Sequence, residues 1–278
     1  MIDFIVDELI KKALTEDIGT GDITTLCTIP LNRVARGNFI AKESGVICGI
    51  EIVKRIYEII NKDIIIDIFF VDGDSVKKGD IIAKISGNAQ GILTGERVSL
   101  NFLQLLSGIA TKTNQCVKAI AGTSAKICDT RKTTPGLRML EKYAVRMGGG
   151  SNHRFNLSDG VLIKDNHIMA AGSIVNAVEQ ARKIIPHTLK IEVEVENSKM
   201  IEEALSCKAD IIMLDNMTTE MMRAAVKQIN GRAIVEASGN MGDKDLLEVA
   251  KTGVDLISIG ALTHTIRALD ISLRFYSE

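Results

Sequence analysis

The residues able to do chemistry recur at one kind of place: directly after a short aliphatic run. After Lys126-Ile127-Cys128 come Asp129, Thr130, Arg131, Lys132 and Thr133. After GVLI at 160–163 come Lys164, Asp165, Asn166 and His167. Glu194 and Glu196 close the run KIEVEVE, and Asp215 and Asn216 close IIML. Glu236, Ser238, Gly239 and Asn240 follow AIV, and Ser258 and Gly260 end LISIG. A single residue of this kind is ordinarily a loop polar group or a helix cap. Repetition at six successive runs reads as a site, because parallel α/β folds build sites where the carboxyl ends of their strands meet.

The charges describe the ligand. Arg131, Lys132, Arg154 and Lys164, with His153, gather more positive charge at one mouth than a fold holds without anions. Arg grips carboxylate or phosphate through two N–H groups, and Lys acts as a point charge. Asp215 and the Glu pair offset part of that charge and could help hold a divalent ion through phosphate oxygens and water. Ser238-Gly239-Asn240 and Ser258-Ile259-Gly260 fall in turns before helices, where backbone N–H groups suit a phosphate. Gly148 to Arg154 form a second Gly-rich loop, placed after a helix and so neither a P-loop nor a dinucleotide fingerprint. No nucleophile elbow occurs, and no cysteine adjoins a histidine in sequence. The chemistry expected is group transfer governed by positioning and electrostatics.

These residues need a frame. Between 125 and 262, AKICD, GVLIKD, LKIEVEVE, DIIMLDN, AIVEAS and DLISIG read as strands. Helical segments separate them at about 137–147, 172–184, 198–207, 218–229 and 243–251, with a further helix at 106–121 in front. Repeated strand–helix–strand means parallel βα units with right-handed crossovers. Six strands leave open a closed or incomplete barrel and an open doubly wound sheet. In Lys190 to Glu196 acids alternate with aliphatics at period two, which favours a barrel, since central strands of a doubly wound sheet are apolar on both faces. Residues 20–105 differ: short strands, Gly-containing turns and a helix at 50–60 suggest a mixed α+β domain. Ile2, Ile5, Val6, Leu9, Ile10 and Ala13 fall at helical spacing.

Composition sets the outer limits. The 278 residues carry 34 basic and 35 acidic side chains, a net charge of −1. Such a balance argues against a sequence-independent nucleic-acid binder. At 46% hydrophobic the chain can bury a large core. Its five cysteines form no C-x-x-C pair, so a disulfide framework or structural zinc site is not expected and a reducing cytoplasm fits. Acids interrupt the apolar residues of the N-terminus, unlike a signal peptide, and no apolar run is long enough to span a bilayer.

DTRKTTPGLRMLEKYAVRMGGGSNHRFNLSDGVLIKDNH at 129–167 resembles the central signature of the quinolinate phosphoribosyltransferase family. EVEVEN at 192–197, IMLDN at 212–216, EASGN at 236–240 and SIGALTH at 258–264 resemble its later motifs, in order. Upstream, TEDIGTGDITT at 15–25 and GERVSLNFLQLLSGIATKT at 95–113 match as well. The resemblance implies an N-terminal α/β sandwich over 1–106, an incomplete, about seven-stranded α/β barrel over 107–266, and a C-terminal segment, 267–278, packed on the first domain. The seventh strand would fall near 145–155 or 262–266. It implies transfer of phosphoribosyl from phosphoribosyl pyrophosphate to quinolinate with decarboxylation, using Mg²⁺, in de novo NAD synthesis.

By the same resemblance, Thr130, Arg131, Lys132, His153, Arg154 and Lys164 bind the anionic substrates, with Lys132 and Lys164 also catalytic. Glu194 and Asp215 are the catalytic carboxylates near the ribose, and the candidate metal residues. Ser238, Gly239, Asn240, Ser258, Ile259, Gly260 and His264 form phosphate loops. Arg97 reaches the site of a partner subunit in a homodimer, or within a hexamer. Asn156 and Asn240 depart from the family pattern, standing where Gly is common, in turns where Asn tolerates φ > 0.

Overall fold

The computed structural model describes residues 3–276; residues 1, 2, 277 and 278, and with them Ile2 of the N-terminal helix pattern, lie outside it. The chain forms two compact units, 1–112 with 266–278, and 113–265.

The first unit is built on a four-stranded antiparallel sheet in the order Ile271–Phe275, Val34–Ala41, Ile81–Asn88, Ile65–Ile68. The last strand of the chain is therefore an edge strand here, with Leu273 opposite Phe39. Alternation along Val34–Ala41 buries Phe39 and Ala41. They meet Ile82, Ile85 and the buried face of helix Ile50–Ile60, where Ile50, Val53 and Tyr57 fall three and four residues apart. The same spacing buries Val6, Ile10 and Leu14 of helix Asp3–Ile18.

One helix is longer than its sequence suggests. It begins at Ala89 and runs to Ala119, 31 residues, rather than starting near 106. Gly95 and Gly108 interrupt the helical signal, but both sit where chains approach closely. A Cβ on Gly95 would lie 2.8 Å from the Tyr57 ring, and one on Gly108 would lie 2.4 Å from the Arg267 carbonyl oxygen. Packing outweighs the cost of glycine in the helix, about 1 kcal/mol each.

The second unit holds six parallel strands. Their order is Lys126–Cys128, Leu256–Ser258, Ile234–Ser238, Ile211–Asp215, Ile191–Val195, Val161–Ile163. From Val161–Ile163 onward each strand neighbours the next in sequence, and the last lies beside the first. That is the cyclic order of a barrel, with one pairing missing between Lys126–Cys128 and Val161–Ile163; a doubly wound sheet would reverse direction at a switch point. The gap is where the seventh strand belongs. Ser151 alone occupies it, as a single parallel bridge to Cys128, whereas 262–266 contributes the short helix Ala261–His264.

Side-chain caps start the crossover helices. Ser173 accepts from Asn176 N, Asn197 from Met200 N, Thr218 from Met221 N and Asp245 from Leu247 N. Each satisfies an orphan N–H at a helix start. In Ile191–Val195 the three aliphatics are fully buried, while Glu194 faces the cavity described next. Lys164 to His167, legible only as polar residues ending a strand, begin a further helix, Asp165–Ala171.

Candidate functional site

The carboxyl ends of the six strands surround a cavity of about 780 Å³. Every residue that the family resemblance assigned to the site lines it except Arg97 and Ile259, whereas Asp129, Thr133, Asp165, Asn166, His167 and Glu196, also polar at strand ends, do not. Arg97 lies exposed on helix Ala89–Ala119 in the first unit. Ile259 is a correction: its side chain is buried and its N–H donates to Cys128 O at 2.9 Å, extending the sheet by one residue. Neither is left for a phosphate.

One wall is cationic. Arg131, Lys132, Arg154 and Lys164 line it. Burial, and then the neighbouring Arg131 charge, hold the Arg154 guanidinium below its usual pKa, with Glu192 opposing. Arg154 donates through a terminal guanidinium nitrogen to Gly160 O at 3.0 Å. The buried Arg131 Nε has no hydrogen-bond partner among the described residues. Two guanidinium groups in mutual repulsion, one with an unused N–H, make a receptor for an anion with two oxygens. Lys132 is exposed, but its backbone is fixed: its N–H donates to Thr130 Oγ1 at 3.0 Å and its C=O accepts from Thr263 Oγ1 at 2.7 Å. Lys164 pairs with Glu194. A Schiff-base lysine needs a desolvated amine; an exposed lysine and an ion-paired, half-exposed one do not supply it.

The opposite side is made of turns. Asp215 accepts from the Asn216 side-chain amide at 2.7 Å. Asn216, Gly239 and Asn240 all adopt left-handed backbone, at φ +53°, +87° and +51°. Two turns face each other so closely that a Cβ on Gly239 would lie 2.6 Å from the Asn216 nitrogen. Only glycine fits at 239. Asn240 thus has the backbone expected of it. Asn156 does not: it has no positive φ, and its Oδ1 accepts from the N–H and hydroxyl of Ser158. Gly260 lets the His264 ring and the Lys132 stem converge, each 3.0 Å from where its Cβ would be. The Ser258 hydroxyl is buried and donates to Ala237 O at 3.4 Å.

Beneath the cations lies a second set of charges, sealed from solvent. Asp129 is 0% and Lys142 1% exposed, and the two are ion-paired. Asp129 also accepts from the Asn152 amide at 2.6 Å and from the His153 N–H at 2.9 Å, while Lys142 donates to His153 O at 3.0 Å. His153 is therefore held by its backbone on both sides. Its ring is held too. Nε2 lies 3.0 Å from Glu192 and 3.6 Å from Glu236, and Nδ1 accepts the Arg154 N–H at 2.8 Å. Burial favours the neutral ring, but the Glu192 hydrogen bond and the Glu236 charge outweigh it and raise the His153 pKa. Burial first, and then Glu192, push Glu236 up to about 7, against the opposing effect of His153. So His153, read from the sequence as a substrate cation, lines the cavity with both ring nitrogens engaged by the protein itself.

Lys142 escaped sequence reading because a lysine in RMLEKYAVRM reads as a solvent-facing helix residue. Glu192 and Glu236 carried a signal, being acids one period inside Glu194 and Ser238 on their strands. A divalent ion of the hard, oxygen-seeking type keeps water and needs only one or two carboxylates beside substrate phosphates. Glu194 and Asp215, both lining the cavity, fit that requirement.

The chain is similar to known proteins over nearly its whole length. Residues 22–107 match the N-terminal domain of quinolinate phosphoribosyl transferase, and residues 109–274 match its C-terminal domain. A probable nicotinate-nucleotide pyrophosphorylase (carboxylating) of Bacillus subtilis is 45% identical over 266 residues, covering 96% of this chain and 92% of the relative. A mitochondrial quinolinate phosphoribosyltransferase (decarboxylating) of Nicotiana tabacum is 44% identical, covering 98% and 82%. The solved nicotinate-nucleotide pyrophosphorylase of Francisella tularensis superposes with a TM-score of 0.95 at 42% identity, covering 99% of this chain and 98% of that one.

Proposed function

The chain belongs to the quinolinate phosphoribosyltransferase family, and we propose how its residues divide the work of that reaction. The enzyme transfers phosphoribosyl from phosphoribosyl pyrophosphate to quinolinate. The products are nicotinate mononucleotide, pyrophosphate and CO₂, a step of NAD synthesis. The observation that carries the assignment of roles is the two neighbouring guanidinium groups of Arg131 and Arg154, the first with an unpartnered buried Nε, at the mouth of a cationic cavity.

Arg131 and Arg154, with Thr130, receive the two carboxylates of quinolinate. The turn at Ser238–Asn240, with Ser258, Gly260 and His264, receives the phosphate groups of the sugar. During transfer the pyridine nitrogen bonds to C1 of the ribose as the C1–O bond to pyrophosphate breaks. Positive charge builds on the sugar ring, and Glu194 and Asp215 stabilise it. Lys132 and Lys164 stabilise the departing pyrophosphate. Glu194 and Asp215 would hold Mg²⁺ there, which adds neutralising charge to the phosphate oxygens when bound. The nitrogen is now quaternary and draws electrons from C2. The bond from C2 to its carboxylate then breaks, CO₂ leaves, and the electron pair on C2 takes up a proton.

Arg97 is exposed and outside the cavity, which supports its insertion into a partner subunit's site in a dimer, or a hexamer of such dimers. No helix of the described residues is long and apolar enough to cross a membrane. A cytoplasmic location fits cysteines that form no disulfide among the described residues.

The test is product formation from quinolinate and phosphoribosyl pyrophosphate, with nicotinate as the alternative acceptor. Nicotinate mononucleotide and CO₂ should appear in equal amounts from quinolinate. Turnover of nicotinate alone would reverse the acceptor assignment.

A further inference from the structure

Glu236 is the least expected residue of the cavity. It is 1% exposed, and neither of its oxygens has a hydrogen-bond partner among the described residues. Glu192, two strands away across Ile211–Asp215, is 4% exposed and has one unpartnered oxygen. Burying an under-satisfied carboxylate is costly to a fold even after relaxation. A leucine or glutamine at either position would be less costly to the fold. The group facing both is the His153 ring.

That ring has one available tautomer when neutral. Nδ1 accepts the Arg154 N–H, so the ring proton sits on Nε2, 3.0 Å from Glu192 and 3.6 Å from Glu236. The ring thus links the buried acids to the main chain of Arg154. The same three side chains have the composition of a metal site. A metal on Nε2 would require the ring proton on Nδ1, where the Arg154 N–H already points. The geometry excludes that arrangement without a ring flip.

We propose that Glu192 and Glu236 are positioning residues: acting together from the closed floor of the cavity, they fix the His153 ring, and through it the backbone from which Arg154 reaches a carboxylate of the pyridine substrate. Asp129 and Lys142 complete the clamp by holding the His153 N–H and C=O. Two acids and one ion pair, all buried, therefore converge on one residue whose task is to place the next. The inference rests on the reading of Arg154 as a carboxylate receptor.

Steady-state kinetics with quinolinate and phosphoribosyl pyrophosphate test it, on Glu192→Ala, Glu192→Gln, Glu236→Ala and Arg154→Lys. Glu192→Ala should raise KM for quinolinate about tenfold, the effect of one lost charge-assisted hydrogen bond, while KM for phosphoribosyl pyrophosphate stays within about twofold. Glu192→Gln should restore most of the loss, because its amide oxygen still accepts from Nε2–H. A merely structural role would lower active enzyme for both substrates alike. Equal changes in both KM values, no change in either, or a glutamine variant as impaired as the alanine one would overturn the proposal. Should Glu192→Ala not fold, Glu236→Ala combined with His153→Asn decides the matter. The pair should be strongly non-additive in quinolinate KM, and additivity would overturn the proposal. Arg154→Lys reports on the underlying reading alone: if it leaves quinolinate KM unchanged, the carboxylate receptor lies elsewhere, whatever the acid variants do.

Discussion

The two larger sheets among the described residues bury their interiors differently. The antiparallel sheet closes over aliphatic and aromatic side chains, with Phe39, Ile82, Ile85 and Leu273 at its centre. The parallel sheet buries Asp129, Lys142, Glu192 and Glu236 among its aliphatics. Apolar burial stabilises without geometry, by about 25 cal/mol per Å². Buried charge stabilises little, if at all, and demands geometry. The contrast separates a part of the chain chosen for stability from a part chosen for direction.

The contrast can be broken by experiment, and the largest effect is expected in the chemistry itself. Glu194→Gln removes a charge facing the reacting sugar while keeping the shape. Its kcat should fall about a hundredfold, while KM for either substrate rises by much less; an unchanged kcat removes Glu194 from the mechanism. Next come two substitutions of similar thermodynamic cost. Phe39→Ala should cost about 3–5 kcal/mol as a core cavity, and Lys142→Met about 3–5 kcal/mol by stranding Asp129. Denaturant titration should find them alike. Activity per folded molecule should separate them: near wild type for Phe39→Ala, and impaired in quinolinate binding for Lys142→Met. If both retain full activity, the buried charges have no directional role.

Smaller and dependent on pH is Glu236→Gln. The folded Glu236 pKa, about 7, lies above its ordinary 4.5. The unfolded chain therefore ionises first as pH rises, so the contribution of Glu236 to stability is highest below pH 4.5 and falls until about pH 7. The glutamine variant lacks that fall. Its advantage should grow across this window by on the order of 3 kcal/mol and then level off. A flat difference between the two proteins would mean that Glu236 is already charged in acid. The smallest effect belongs to the surface of the first unit. Arg55 pairs with Asp7 and Glu58 in the open, and Arg55→Ala should leave the melting temperature unmoved.

Much of this was legible beforehand. Strand runs such as IIMLD and IVEAS stand out because aliphatic stretches are bounded by turn formers, and Ser173, Asn197 and Thr218 mark helix starts by type alone. The cationic wall was legible because Arg and Lys directly after strands have few other uses. The helix Asp165–Ala171 and the backbone of Asn156 were not, and three further misses have a common physical cause in distant contacts. The helix beginning at Ala89 was hidden by glycines whose purpose is a contact distant in sequence. Ile259 was read with its neighbours as a phosphate loop, but its N–H is spent on Cys128, a pairing that local sequence does not reveal. Lys142 was invisible because a buried cation on a helix looks like any surface lysine until its partner, thirteen residues away, is placed beside it.

The missing rung between Lys126–Cys128 and Val161–Ile163 has a mechanical side. Arg131 stands on one bank of that seam and Lys164 on the other, with only the Ser151 bridge between. With Arg131 assigned to the pyridine acceptor and Lys164 to the departing pyrophosphate, the two substrates of one turnover would be held from opposite banks of the seam.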